Sequence, residues 1–211
     1  MLMRRRISIS KVYAIIPEIF NLNELCKTIE IMLNHGISFF QYRSKFKKST
    51  QKTKEILCLL ELIRSKKGQL IINDDVKIAF STKADGVHLG ENDMSLNQAR
   101  NILGDDSIIG ISCYNSISKA LNMQKLGADY VAFGSCFPTK TKLDAKIMDL
   151  NILEDIGSVY IPKVLIGGIN LQNLEKLLKY DFNCIALSHA LFQSSNIKQN
   201  INRFYLILNN G

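Results

Sequence analysis

Residues 69–93, QLIINDDVKIAFSTKADGVHLGEND, hold two short apolar runs, 70–72 and 86–89, each closing in polar residues. The first ends in Asn73-Asp74 and the second in Gly90-Glu91-Asn92-Asp93. Between them Val76, Ile78, Ala79 and Phe80 recur at helical spacing. The stretch therefore reads as strand, helix, strand, with a carboxylate just past the C-terminal end of each strand. In a parallel α/β sheet or barrel those ends share one rim, where sites form. Asp74 and Asp93 are expected to converge there. Two carboxylates facing one small volume repel unless a proton or a cation lies between them. Hard oxygen ligands of this kind suit Mg²⁺, which completes its shell with water and phosphate oxygens. The alternative is a pair of solvated loop aspartates.

Working outward, the same alternation fills the chain. Strand-like runs fall at 12–16, 37–42, 107–112, 130–134, 163–166 and 184–187, in addition to the two above. Helix-period segments fall at 23–34, 49–67, 95–103, 117–126, 150–156, 171–178 and 197–208. Eight strands alternating with helices predict an α/β fold, a single-domain (β/α)₈ TIM barrel over residues 1–211, preceded by a basic tail of about ten residues. A flavodoxin-like open sheet is the structural alternative, and eight β/α units overfill it.

Composition narrows the function classes. With 211 residues and 46% apolar content, the chain can bury one large core. No run approaches the length of a membrane span, and Lys11, Pro17 and Glu18 interrupt the only leader-like stretch. The five cysteines are scattered without C-x-x-C spacing, and the three histidines make no zinc pattern. A reducing, cytoplasmic setting follows. The net charge of +8 is diffuse and not interleaved with aromatics, which favours anionic small molecules over nucleic acid. An oligomer is left open.

The polar motifs follow the strands. In 41–45, alternation along an extended segment sends Gln41, Arg43 and Lys45 to one side, an amide and two cations suited to phosphate. The 137–142 loop, FPTKTK, combines hydroxyls and cations and has the length of a flap. Gly167-Gly168 lets backbone N–H groups approach a ligand, and Ser188 opens the next helix. The loops after strands seven and eight are the usual phosphate site of this fold. The rim thus offers two anion-binding regions, for two phosphorylated ligands or one with phosphates at both ends.

Gln41-Tyr42-Arg43-Ser44-Lys45, Ile72-Asn73-Asp74, Gly86-Val87-His88-Leu89-Gly90 with Asp93, Gly110-Ile111-Ser112, Phe137-Pro138-Thr139 with Thr141-Lys142, Ile166-Gly167-Gly168-Ile169 and Leu187-Ser188 together resemble thiamine-phosphate synthases over nearly the whole chain. The resemblance implies a Mg²⁺-dependent transferase that joins hydroxymethylpyrimidine diphosphate to thiazole phosphate and releases pyrophosphate. It implies that Gln41, Tyr42, Arg43, Ser44, Lys45 and Asn73 hold the pyrimidine diphosphate. Asp74 and Asp93 would bind Mg²⁺. Ser112 and Lys142 would assist the pyrophosphate, so that Arg43, Lys45, Ser112 and Lys142 form the catalytic set. Thr139, Lys140 and Thr141 would face the thiazole phosphate, with Gly168, Leu187 and Ser188 gripping its phosphate.

The chain departs from the family pattern at Asp75, Asn92, Tyr114 and Ser135-Cys136, which bear on the pocket's selectivity. Thiazole tautomerases share the fold but rely on a histidine where this chain has Tyr114. A tautomerase-like or other phosphate-binding barrel isomerase is therefore the alternative, and a basic nucleic-acid-binding protein a more distant one. Cys113 reads as packing, and His88 as a core or supporting hydrogen-bonding residue. His189 stays ambiguous.

Overall fold

A computed structural model describes residues 10–18, 21–139 and 146–210. Its eight strands are β1 (Val12–Ile16), β2 (Phe39–Tyr42), β3 (Gln69–Asn73), β4 (Gly86–Leu89), β5 (Ile108–Tyr114), β6 (Tyr130–Phe133), β7 (Lys163–Ile166) and β8 (Cys184–Leu187). They pair in parallel, in sequence order, and β8 returns to β1 to close the barrel. The outer ring holds α1 (Leu22–Asn34), α2 (Ser49–Ser65), α3 (Val76–Thr82), α4 (Leu96–Leu103), α5 (Ile117–Lys125), α6 (His189–Phe192) and α7 (Ile197–Asn210). The expected (β/α)₈ architecture is the observed one. The basic tail falls almost wholly outside the described residues.

Strand alternation divides the core into two shells. Val12, Ala14 and Ile16 of β1, with Phe40 and Tyr42 of β2, point outward into the helix layer. Tyr13, Ile15, Phe39, Ile71, Ile108 and Tyr130 point inward and fill the barrel with their neighbours. On the helix side, α1 buries Leu25, Ile29 and Met32, one stripe at helical spacing. Each such side chain taken fully out of water contributes about 1.5–3 kcal/mol before chain entropy is charged. Asn21 caps α1 by accepting from the Asn23 and Glu24 N–H groups. A capping box between Ser95 and Gln98 opens α4, and Gly104, at φ +81°, ends it.

Gly110 shows how the interior is fitted. A Cβ there would lie 1.9 Å from Cζ of Tyr130, so the β5 backbone leaves the space that the Tyr130 ring occupies.

Some expected elements differ in bounds or kind. The second strand begins at Phe39, not 37. The 150–156 segment is a 3₁₀ helix, Leu150–Ser158. The 171–178 segment holds only a 3₁₀ turn, Leu174–Leu177. There Asn170 and Asn173 use their side chains locally: Asn173 Oδ1 accepts from Asn170 N, Asn170 Oδ1 accepts from Gln172 N, and Asn173 Nδ2 donates to Gly168 O. Such bonds compete with helical ones.

Candidate active site

The C-terminal ends of the strands surround a cavity of about 950 Å³. The opening stretch places both its carboxylates there. β3 and β4 pair with Asn73 beside His88, and Asp74 N then donates to His88 O at 2.8 Å. Asp74 takes φ +64°, a left-handed conformation that Asp tolerates better than most residues. Asp93 returns to β4 by accepting from Gly90 N at 2.6 Å. The two carboxyls meet, as the sequence predicts. Burial, then the Asp93 charge and its hydrogen bond, push Asp74 up to about 6, against the opposing pull of Arg43 and Lys45.

The β2 extension behaves as alternation dictates. Gln41, Arg43 and Lys45 all line the cavity. Tyr42 and Ser44, named as substrate contacts, turn away by the same rule. The buried Tyr42 hydroxyl donates to Glu55 of α2 at 2.8 Å, and Ser44 Oγ donates to Glu18 at 2.5 Å. Glu18 also accepts from the backbone N–H groups of Lys45, Phe46 and Lys47, which shapes the loop that carries Lys45. Those donors and Ser44 hold the Glu18 carboxyl below its ordinary range, although burial acts the other way.

Asn73, Ser112, Thr139, Gly168 and Ser188 also line the cavity. Leu187 does not; its side chain is in the outer core, so only its backbone is left for a ligand. Gly168 has φ +61°, and a Cβ there would lie 2.2 Å from the Pro138 carbonyl oxygen. Its lack of a side chain thus lets the loops after β6 and β7 pack, besides leaving backbone near a ligand. Lys140, Thr141 and Lys142 lie outside the described residues.

Several lining residues were not singled out from the sequence as site residues. Lys119 stands over the Tyr114 ring, 4.9 Å from its centre, adding a cation to the cavity wall. Tyr114, itself at φ +55°, receives a hydrogen bond from Glu91 N at 3.2 Å. Tyr13 and His88 also reach the cavity. His88 has the supporting role expected of it: its Nδ1 lies 2.9 Å from the Tyr130 hydroxyl and its Nε2 2.9 Å from Ser112 Oγ. Burial pushes its pKa down to about 4, so it is neutral at pH 7. Cys113 is buried and pushed up to about 12, which fits packing and not nucleophilic attack. His189 lines the cavity wall beside Ser188.

A barrel that gathers cations, an acidic pair, amides and hydroxyls on its C-terminal rim is built to act on small anionic molecules. A family model described as thiamine monophosphate synthase matches residues 12–191. The thiamine-phosphate synthase of Nitrosomonas eutropha is 40% identical over 200 residues, covering 94% of either chain. That of Methylobacillus flagellatus is 39% identical and covers 95% of this chain and 96% of its own. A thiamine phosphate pyrophosphorylase from Pyrococcus furiosus superposes with a TM-score of 0.83 at 32% identity, covering 95% of this chain and 96% of its own. A 3-hexulose-6-phosphate synthase at 13% identity and a TM-score of 0.70 shares the fold alone. The chain belongs to the thiamine monophosphate synthase family. It is accordingly a transferase-type enzyme of thiamine biosynthesis.

Proposed function

We propose that the protein condenses hydroxymethylpyrimidine diphosphate with thiazole phosphate, yielding thiamine phosphate and pyrophosphate. The observation that carries this is the meeting of Asp74 and Asp93 beside Arg43 and Lys45 in one rim cavity, in a chain of this family. Leaving-group departure from the pyrimidinylmethyl carbon places growing negative charge on the pyrophosphate. Arg43 offers it two parallel N–H donors, and Lys45 a point charge. Ser112, and Lys142 by resemblance, add further donors. The electron-rich pyrimidine carries the positive charge left on the methylene carbon until the thiazole nitrogen captures it. No general base is needed, and the preorganised charges do most of the work.

The residues present fit Mg²⁺. Asp74 holds its proton unusually well because it is largely buried and a second carboxyl faces it, and a divalent cation relieves that repulsion. Among the described residues no third carboxylate, cysteine or histidine completes a metal cage, as suits an ion that keeps water and takes phosphate oxygens. Bound by Asp74 and Asp93, Mg²⁺ would supply charge to the leaving diphosphate. Thr139, Gly168 and Ser188, on the other side of the rim, would take the thiazole phosphate, with Lys140 and Thr141 by resemblance.

No helix among the described residues is long and apolar enough to cross a membrane. The cysteines are all free, which supports a cytoplasmic location. The proposal is tested by titrating the pyrimidine diphosphate into the protein with and without Mg²⁺, then adding thiazole phosphate. Mg²⁺-dependent binding followed by pyrophosphate release is expected. Equal binding and turnover with a chelator present would remove the metal from the account.

A further inference from the structure

Five polar side chains run through the top of the barrel in one unbroken line. Gln41 Nε2 donates to the Tyr13 hydroxyl at 2.9 Å. Tyr13 Oη lies 3.0 Å from Tyr130 Oη, Tyr130 Oη lies 2.9 Å from His88 Nδ1, and His88 Nε2 lies 2.9 Å from Ser112 Oγ. The line passes from β2 through β1, β6 and β4 to β5, and both its ends line the cavity. The two tyrosines and His88 are buried.

With the Gln41 amide turned so that Nε2 faces Tyr13, burial sets the direction of the bonds that follow. A buried hydroxyl has one proton, and leaving that proton unused forfeits a hydrogen bond where water cannot replace it. Tyr13 accepts from Gln41, so its proton goes to its other partner among the described residues, Tyr130. Tyr130 in turn donates to His88 Nδ1. A neutral imidazole that accepts at Nδ1 carries its proton on Nε2. His88 therefore donates to Ser112 Oγ, and the Ser112 proton is left for a ligand oxygen. Turning the Gln41 amide over would reverse all of these bonds together, leaving Ser112 Oγ as an acceptor.

We propose that these five residues form a two-state hydrogen-bond relay, in which the orientation of the Gln41 amide decides whether Ser112 donates to or accepts from the ligand across the cavity. With Nε2 turned to Tyr13, Gln41 keeps Oε1 as the acceptor for a ligand N–H. A heterocycle with an amino group, binding at Gln41, holds the relay in the state where Ser112 donates to an anionic oxygen. Tyr13, Tyr130 and His88 are then positioning residues for Ser112. This functional consequence rests on the reading of Ser112 given above; the direction of the relay does not.

The test uses ring-¹⁵N-histidine protein at pH 8 without ligand, with His88 assigned by its loss in His88→Gln. The ring shifts should show the proton on Nε2 of His88. Gln41→Glu places an obligate acceptor at the far end, two tyrosines away from the imidazole. The relay should reverse and the proton should move to Nδ1. In Gln41→Glu/Tyr130→Phe the link is cut, and the proton should stay on Nε2. An Nδ1 proton in the unsubstituted protein, or no movement in Gln41→Glu, overturns the relay. Tyr130→Phe should also slow single-turnover bond formation about tenfold while leaving diphosphate affinity within about twofold, roughly 1.4 kcal/mol placed on the chemical step alone. Intact tautomer shifts with unchanged chemistry in that variant would sever the relay from catalysis. Failure of the synthase reading shows separately, as absent turnover in the unsubstituted protein with the tautomer results intact.

Discussion

His88 should make the fold acid-sensitive in a defined window. Buried between Tyr130 and Ser112, its imidazole stays neutral down to about pH 4, whereas in the unfolded chain it takes a proton near 6.5. Between those values the unfolded state binds more protons, so stability falls as pH drops from 6.5 toward 4. The full shift corresponds to roughly 3 kcal/mol at 1.36 kcal/mol per unit, an order-of-magnitude figure. Asp74 acts in the opposite sense. Its carboxyl is held up to about 6 from an ordinary 3.8, so the folded state binds more protons there and gains stability on acidification. The two slopes partly cancel in the parent protein, and the His88 contribution must be isolated by comparison. His88→Gln keeps an amide beside Ser112 and removes the titration. Urea unfolding in chelator at several pH values, from 7.5 to 4, should show the parent losing roughly 3 kcal/mol relative to His88→Gln. A difference that stays constant over that range would mean that His88 is not held neutral, and the burial argument would fail.

Three further outcomes follow from the site. Asp74→Asn should lower turnover at least ~100-fold, about 2.7 kcal/mol of barrier. The same variant should melt higher than the parent in chelator at pH 8, by about 2–4 °C per kcal/mol of relieved repulsion, and a lower melting point would contradict the like-charge account. Gly110→Ala drives a methyl into the Tyr130 ring, so it should cost about 1–3 kcal/mol in overpacking and more if the relay hydroxyls lose their partners. Chemical denaturation would measure that cost, and a neutral result would mean that the ring has room to move. Arg43→Lys keeps the charge and removes the bidentate fork, and calorimetry should show about tenfold weaker diphosphate binding; unchanged affinity would take Arg43 off the phosphate.

The barrel was legible because its strands are continuous apolar runs closed by polar rim residues, as 70–72 before Asn73-Asp74 shows. Alternation then predicted the convergence of Gln41, Arg43 and Lys45. The same rule, applied to their neighbours, would have turned Tyr42 and Ser44 away from the cavity. Helical spacing of leucines misread 171–178, since it does not register that Asn170 and Asn173 bind their own backbone. The relay was not legible. Tyr13 and Tyr130 sit in apolar strands 117 residues apart and read as packing, and only closure of the barrel brings their hydroxyls together. The available signal was the placing of Tyr13, Gln41, His88, Ser112 and Tyr130 at inward strand positions, where apolar residues are the rule.

The most direct test asks whether this rim cavity joins two phosphorylated heterocycles by expelling pyrophosphate. Purified protein should be mixed with hydroxymethylpyrimidine diphosphate, thiazole phosphate and Mg²⁺, and both products measured, thiamine phosphate by mass spectrometry and pyrophosphate enzymatically. The two should form in equal amounts, and neither when one substrate is withheld. Pyrophosphate release without thiamine phosphate, or no product at all, would contradict it.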